Sequence, residues 1–88
     1  MRSFAQLEEA DTVTPTELEE TLKEYVDGGW AISARATTNV IRKANPNHAE
    51  KMKLIELAKQ GAVNQQKRGC TKEVDVYTSV ANYLLRIL

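Results

Sequence analysis

The chain has 88 residues, 42% of them hydrophobic and 27% charged, with 12 basic and 12 acidic side chains, a composition typical of one globular domain. The lone cysteine, Cys70, excludes an internal disulfide framework, and no apolar run approaches the ~18 residues of a membrane span. Because the amino terminus also lacks a secretory signal pattern, we expect a soluble protein of the reducing cytoplasm, with residues 1–88 as a single helical domain.

The chain opens with a segment of weak pattern, followed by a helix with clear start signals. Residues 1–13 are expected to form a peripheral N-terminal segment, with a short helix that turns Phe4 and Leu7 inward. Thr14 is placed to cap the first main helix, and Pro15 takes the first helical position, where its missing N–H costs nothing. The apolar positions of this helix share one face: Leu18, Leu22, Tyr25 and Val26.

The second main helix has two chemically distinct faces. Gly28 is expected to close the helix before it, because glycine takes the left-handed conformation without steric cost. The second helix is predicted to begin between residues 30 and 33 and to end at Ala44, before an Asn-Pro pair that disfavours helix. Trp30 is expected to anchor it in the core. The remaining apolar-face positions are Ala34, Thr37, Val40, Ile41 and Ala44, and the polar-face positions are Arg35, Thr38, Asn39, Arg42 and Lys43.

Two further helices are predicted in the second half of the chain. Asn47 is placed to cap the third, with a glutamate in the capping-box position, and Gly61 is expected to end it. Residues 62–70 fit either a short helical turn or a polar connection. The last helix is expected to have Thr71 as its cap and to reach Leu88, with apolar positions over roughly 200° of its circumference.

Together these elements predict an all-α domain, a compact bundle of four main helices plus one or two short helical segments. The wide apolar face of the last helix has two explanations that the sequence leaves open. The helix is covered on two sides by its own chain, or part of the face meets a second copy in a homodimer. The candidate residues for self-association are Tyr77, Leu84 and Leu88.

The side chains that carry common catalytic and metal chemistry are scarce. One cysteine and one histidine, Cys70 and His48, are too few for a zinc site, and neither lies in a recognised catalytic motif. The adjacent glycines before Trp30 lack the Gly-Lys-Ser/Thr pattern that holds phosphates. We therefore expect no enzyme, no catalytic residue, no metal and no cofactor.

The zero net charge hides a strongly uneven distribution. Residues 1–27 carry two basic and eight acidic side chains, a net charge of −6, whereas residues 28–72 carry nine basic and two acidic ones, a net charge of +7. The acidic part is expected to repel nucleic acid, to fold across the basic part, or to dock on another copy or a charged partner. This asymmetry is the strongest compositional signal in the chain.

The leading hypothesis is therefore a small non-catalytic protein-interaction module, a regulator, inhibitor or assembly subunit that acts through charged helix faces and can self-associate. Its partner is a protein of unknown identity, with no membrane involved, and its candidate contacts are Arg35, Thr38, Asn39, Arg42 and Lys43. The alternative is a nucleic-acid binding module that uses the same basic face, residues 35–43, with nearby lysines holding phosphates. A helix-turn-helix is not favoured, because no glycine turn here has apolar and small residues in register.

Overall fold

The computed structural model describes residues 2–88, and within them the chain forms five α-helices and no strand. The predicted all-α class is confirmed, while the arrangement of the main helices as a four-helix bundle stays a prediction. The short N-terminal helix is also present. The helices are α1 (Phe4–Glu9), α2 (Pro15–Gly28), α3 (Ala34–Ala44), α4 (His48–Lys67) and α5 (Thr71–Arg86).

Polar side chains cap four of the five helix starts. The hydroxyl of Thr14 accepts a hydrogen bond from the Glu17 N–H at 3.1 Å, and two of the three predicted caps, Thr14 and Asn47, are confirmed. Ser3 and Ser33 cap α1 and α3 in the same way. The prediction for α5 is wrong by one residue, because Thr71 lies inside the helix and the cap position is Cys70, whose side chain accepts no hydrogen bond from the helix N–H groups.

The end of α2 is a glycine turn, one residue later than predicted. Gly28 is still helical, and Gly29 takes the left-handed conformation with φ at 68°. The Gly29 N–H donates to the Val26 carbonyl at 3.2 Å, and the Trp30 N–H donates to the Tyr25 carbonyl at 2.9 Å. This pair of bonds satisfies two carbonyls at the end of the helix, as in a Schellman motif.

Helix α4 does not end at Gly61 as predicted but continues to Lys67, so most of the undecided segment 62–70 is helical. Gly61 is buried in the middle of the helix, where a Cβ would overlap the ring of Tyr77 on α5. The missing side chain therefore lets α4 and α5 approach closely. Only residues 68–70 connect the two helices, and α5 ends at Arg86 instead of Leu88.

Trp30 is the clearest error in the predicted core, because 53% of its surface is exposed. The glycine turn directs the indole back over Gly28 and against Tyr25, on the outside of the domain. Ile32 is the buried residue of this connection. The largest fully buried side chains come from all five helices and include Leu7, Leu18, Ile41, Leu54 and Tyr77.

The N-terminal segment contributes to the core as well as to the surface. Phe4 and Leu7 are buried, as predicted for the inward side of α1, and Val13 is buried in the following connection. Helix α1 packs mainly on α3, and α5 packs on both α4 and α3. Helix α5 is therefore covered on two sides by its own chain, as the first of the two explanations for its wide apolar face requires.

Candidate functional site

The five candidate contact residues lie together on α3, on the side away from the core. Thr37, Val40, Ile41 and Ala44 are buried beneath them, whereas the five polar side chains are exposed or half-buried. This alternation follows from the 3.6-residue helical period. The polar face of α3 therefore exists as an outward-facing surface, formed by Arg35, Thr38, Asn39, Arg42 and Lys43.

Two of these five residues hold α1 in place. The Asn39 side-chain amide donates to a carboxylate oxygen of Glu8 at 2.6 Å. The Lys43 ammonium donates to the backbone carbonyls of Glu8 and Ala10, at 2.9 Å for Ala10. Carbonyls at the end of a helix have no partner within it, and a cation there also suits the helix dipole. Asn39 and Lys43 are thus engaged within the chain.

Arg42 lies against the ring of Tyr83 on α5. Its Nε donates to the Tyr83 hydroxyl at 3.3 Å, and its guanidinium carbon is 5.8 Å from the ring centroid. A second guanidinium, that of Arg86, lies 5.9 Å from the same centroid. Both distances are within the range of a cation–π interaction. Tyr83 and Arg86 are not among the residues predicted from the sequence, since a contact over 41 residues leaves no local signal.

Arg35 and Thr38 complete the face. The Thr38 hydroxyl donates to the Arg35 carbonyl at 3.0 Å, so it is satisfied within its own helix. Arg35 is exposed and lies seven residues before Arg42, which places the two guanidinium groups on the same side of α3, about two turns apart. Within residues 2–88, the Arg35 side chain makes no hydrogen bond or ion pair with the rest of the chain.

The ion pairs leave the basic part of the chain without carboxylate partners. The described residues form two salt bridges, Arg2–Glu17 and Lys23–Asp27, and both use cations from residues 1–27. The hydrogen bond from Arg2 lowers the pKa of Glu17 below its ordinary value. None of the nine cations of residues 28–72 pairs with a carboxylate in the part of the chain that the structure describes. Four of these cations donate to uncharged oxygens instead: Arg42, Lys43, Lys51 and Arg68.

The three self-association candidates on and after α5 are placed very differently. Tyr77 and Leu84 are completely buried in the core, so neither offers surface to a second copy. Leu88 is 42% exposed, and the neighbouring Leu85 is 48% exposed. Self-association stays a prediction, and of its three residues only Leu88 has exposed surface.

Two of the open grooves on the described residues lie along α2. The larger, about 540 Å³, lies between α2 and α4, has Leu57 at its half-buried base, and is bordered by both acidic and basic side chains. The smaller, about 220 Å³, lies beside Trp30 at the end of α2. A mixed rim of Glu19, Lys23, Lys53 and Glu56 gives the larger groove no preferred sign of ligand charge.

Within residues 2–88, no three histidine, cysteine, aspartate or glutamate side chains are arranged to hold a metal ion. None of the helices over these residues combines the length and apolar character that crossing a membrane requires. No protein-family model matches the chain, and comparisons with curated proteins and with solved structures find no significant match.

Proposed function

We propose that the chain is a small non-catalytic interaction module that binds an acidic segment of a partner protein. The binding surface is an arginine face made of Arg35 and Arg42 on α3 and Arg86 on α5. The guanidinium groups of Arg42 and Arg86 both lie against the Tyr83 ring. This face includes the two arginines that were predicted from the sequence. It leaves out Asn39 and Lys43, because their side chains bind α1.

The lack of carboxylate partners for these arginines is the observation that carries the proposal. Within residues 2–88, no acidic side chain pairs with Arg35, Arg42 or Arg86, although the chain has 12 acidic residues. A planar guanidinium binds a carboxylate through two parallel hydrogen bonds, and an aromatic ring beneath it reduces its freedom before binding. A partner carboxylate would therefore find pre-positioned donors at Arg42 and Arg86.

The arrangement around α1 favours a protein partner over nucleic acid. The alternative hypothesis uses the basic face of residues 35–43, including Asn39 and Lys43, yet both of these side chains bind α1. Glu8 places a carboxylate beside that same part of α3 and would repel a phosphate backbone. The proposed arginine face leaves out Asn39 and Lys43, so it does not require the part of α3 that lies beside Glu8.

Affinity capture from a lysate of the source organism tests the proposal, with and without nuclease. We expect a protein that stays bound after nuclease treatment and whose capture falls about tenfold or more in the Arg35→Gln/Arg42→Gln variant. The matched control is Lys59→Gln/Lys67→Gln. It removes the same charge from exposed lysines of α4 and should retain the partner.

Equal losses in both variants would show that net charge alone determines binding and would contradict a defined arginine face. Loss of capture with nuclease would favour the alternative. In that case, titration with duplex DNA and single-stranded RNA should show an affinity that falls steeply with salt. Undetectable binding to both at low salt would exclude the nucleic-acid alternative.

A further inference from the structure

The exposed Trp30 indole and the Tyr25 ring form an aromatic corner at the end of α2. Their ring centroids are 5.4 Å apart and their planes meet at 82°, so the rings stand as two walls at nearly a right angle. Because 53% of Trp30 is exposed, one face of the corner is open to solvent.

The backbone of the corner is held in place, although the indole itself is exposed. The Trp30 N–H donates to the Tyr25 carbonyl at 2.9 Å, and the buried Tyr77 hydroxyl donates to the Trp30 carbonyl at 2.7 Å. On its far side, Tyr25 meets the buried Phe4 ring with centroids 4.9 Å apart. The backbone positions that carry both rings are therefore set before a partner binds, so only side-chain freedom is lost on binding.

The groove beside this corner has one carboxylate in its lining, and the Arg68 guanidinium is bonded to the Gly29 carbonyl next to Trp30. Glu24 is exposed and has no partner in the described part of the chain, whereas Arg2 is neutralised by Glu17. Residues 1–27, which supply most of its lining, carry a net charge of −6 as a whole. The groove is lined by Arg2, Ser3, Gln6, Glu24, Tyr25 and Trp30.

The same molecule shows how its aromatic rings bind guanidinium groups. Tyr83, half-buried, has the two guanidinium groups of Arg42 and Arg86 at 5.8 and 5.9 Å. Indole is a stronger cation–π partner than phenol. Yet, within residues 2–88, no cation lies over the ring of Trp30.

We propose that the Tyr25–Trp30 corner is a second binding site, which takes an arginine side chain from a basic segment of a partner protein. The guanidinium lies on the open face of the indole, with Tyr25 as its second wall and Glu24 as its counter-ion. This site has the opposite charge preference from the arginine face and does not depend on it. The chain would thus join an acidic partner segment to a basic one.

Tryptophan fluorescence gives a direct test, because Trp30 is the single tryptophan of the chain. The probe is an acetylated and amidated hexa-arginine peptide, and the matched probe is hexa-citrulline, which has nearly the same shape without the charge. We expect hexa-arginine to change Trp30 emission in a saturable way. Hexa-citrulline should leave the emission unchanged at the same concentrations.

Three variants separate the corner from the general negative charge, with affinity measured by calorimetry. Trp30→Leu should weaken hexa-arginine binding about five- to tenfold, and Glu24→Gln about threefold. Glu19→Gln makes the same charge change on another side of α2, outside this groove, and should have less effect than Glu24→Gln. Circular dichroism confirms that each variant is folded.

Wild-type affinity in Trp30→Leu, equal binding of both peptides, or equal effects of the two glutamate variants would each overturn the proposal. Sedimentation at low salt tests the other possible source of the cation, the basic part of a second copy. An oligomer that forms in the wild type and dissociates in Trp30→Leu would assign the site to self-association and overturn the partner-peptide proposal. A monomer in both proteins supports it.

Discussion

Two helix contacts in this molecule are made in opposite ways. Helices α4 and α5 meet through a close apolar interface, in which the backbone of Gly61 lies directly against the fully buried ring of Tyr77. Helix α1 also buries two apolar side chains, but it is oriented on α3 by polar contacts from Asn39 and Lys43. The first contact depends on shape, and the second on hydrogen bonds and charge.

This difference indicates which parts of the domain are fixed and which can adjust. Close packing tolerates little change in volume, so α4 and α5 form a rigid frame. Solvent-exposed polar bonds contribute much less to the unfolding free energy, so α1 is the element whose position is most easily altered. The arginine face draws on both regions, since Arg86 belongs to the frame and Arg42 to the helix that carries α1.

The largest expected effect is at the close contact. Gly61→Ala places a methyl group into the Tyr77 ring, which is buried and held by its hydroxyl, and should lower the unfolding free energy by about 2–3 kcal/mol. The gain in helix propensity of about 1 kcal/mol offsets only part of the overlap. Gly28→Ala is the control, because its new methyl group meets the exposed and movable Trp30. Equal urea midpoints for the two variants would contradict a shape-determined interface.

The next effect concerns the hydrogen bond that joins this frame to the aromatic corner. Tyr77→Phe removes the donor to the Trp30 carbonyl and should cost about 1–1.5 kcal/mol of unfolding free energy. Trp30 emission should report a more mobile indole. An unchanged emission spectrum together with unchanged stability would mean that this bond does not position the corner.

The same tyrosine gives an alkaline limit to stability. Burial raises the pKa of Tyr77 to about 12, above the value of about 10 in an unfolded chain. The stabilising contribution of neutral Tyr77 is therefore fully present below pH ~10 and is lost as pH rises through ~12. The stability difference between wild type and Tyr77→Phe should accordingly shrink above pH ~10 in parallel denaturation curves.

A smaller effect is expected where α1 meets α3. Lys43→Met keeps most of the side-chain length but loses the donor to the α1 carbonyls, and should cost about 0.5–1 kcal/mol. Hydrogen exchange should become faster in α1 and stay unchanged in α5. Lys59→Met, on the exposed side of α4, is the control. Uniform acceleration across all helices in Lys43→Met would show that α1 does not move independently.

The smallest effect is at the exposed ion pair between Arg2 and Glu17. Arg2→Gln should return the lowered pKa of Glu17 towards its ordinary value, which an NMR titration of the carboxyl group measures. Because the folded pKa is lowered, the pair stabilises the fold above the unfolded pKa and loses that contribution as pH falls through the folded one. Lys23→Gln removes the other ion pair and should leave Glu17 unchanged.

The features that the sequence predicted correctly are local ones. Thr14 and Asn47 each cap the helix that follows and bond to an N–H three residues later, so a short window contains the whole interaction. The polar and apolar faces of α3 follow similarly from its period. Phe4 and Leu7 were predicted to face inward from their spacing alone, and both are buried.

The errors arise where a distant residue decides the outcome. Gly61 was predicted to end a helix, whereas it lies inside one because the ring of Tyr77 occupies the space beside it. Asn39 and Lys43 were predicted to be free for a partner, but both bind Glu8 of α1, which lies 31 and 35 residues before them in the chain. Trp30 is exposed because the turn before it sets its direction, which composition does not encode.

The short connection between α4 and α5 also bears on the order of folding. Residues 68–70 close a hairpin of two long helices, so this interface forms at a small cost in chain entropy. The contact of α1 with α3 instead joins residues more than thirty positions apart, so it costs more chain entropy to form. We expect the hairpin to be structured in the transition state for folding and α1 to dock after it, so substitutions in α1 should speed unfolding and leave the folding rate unchanged.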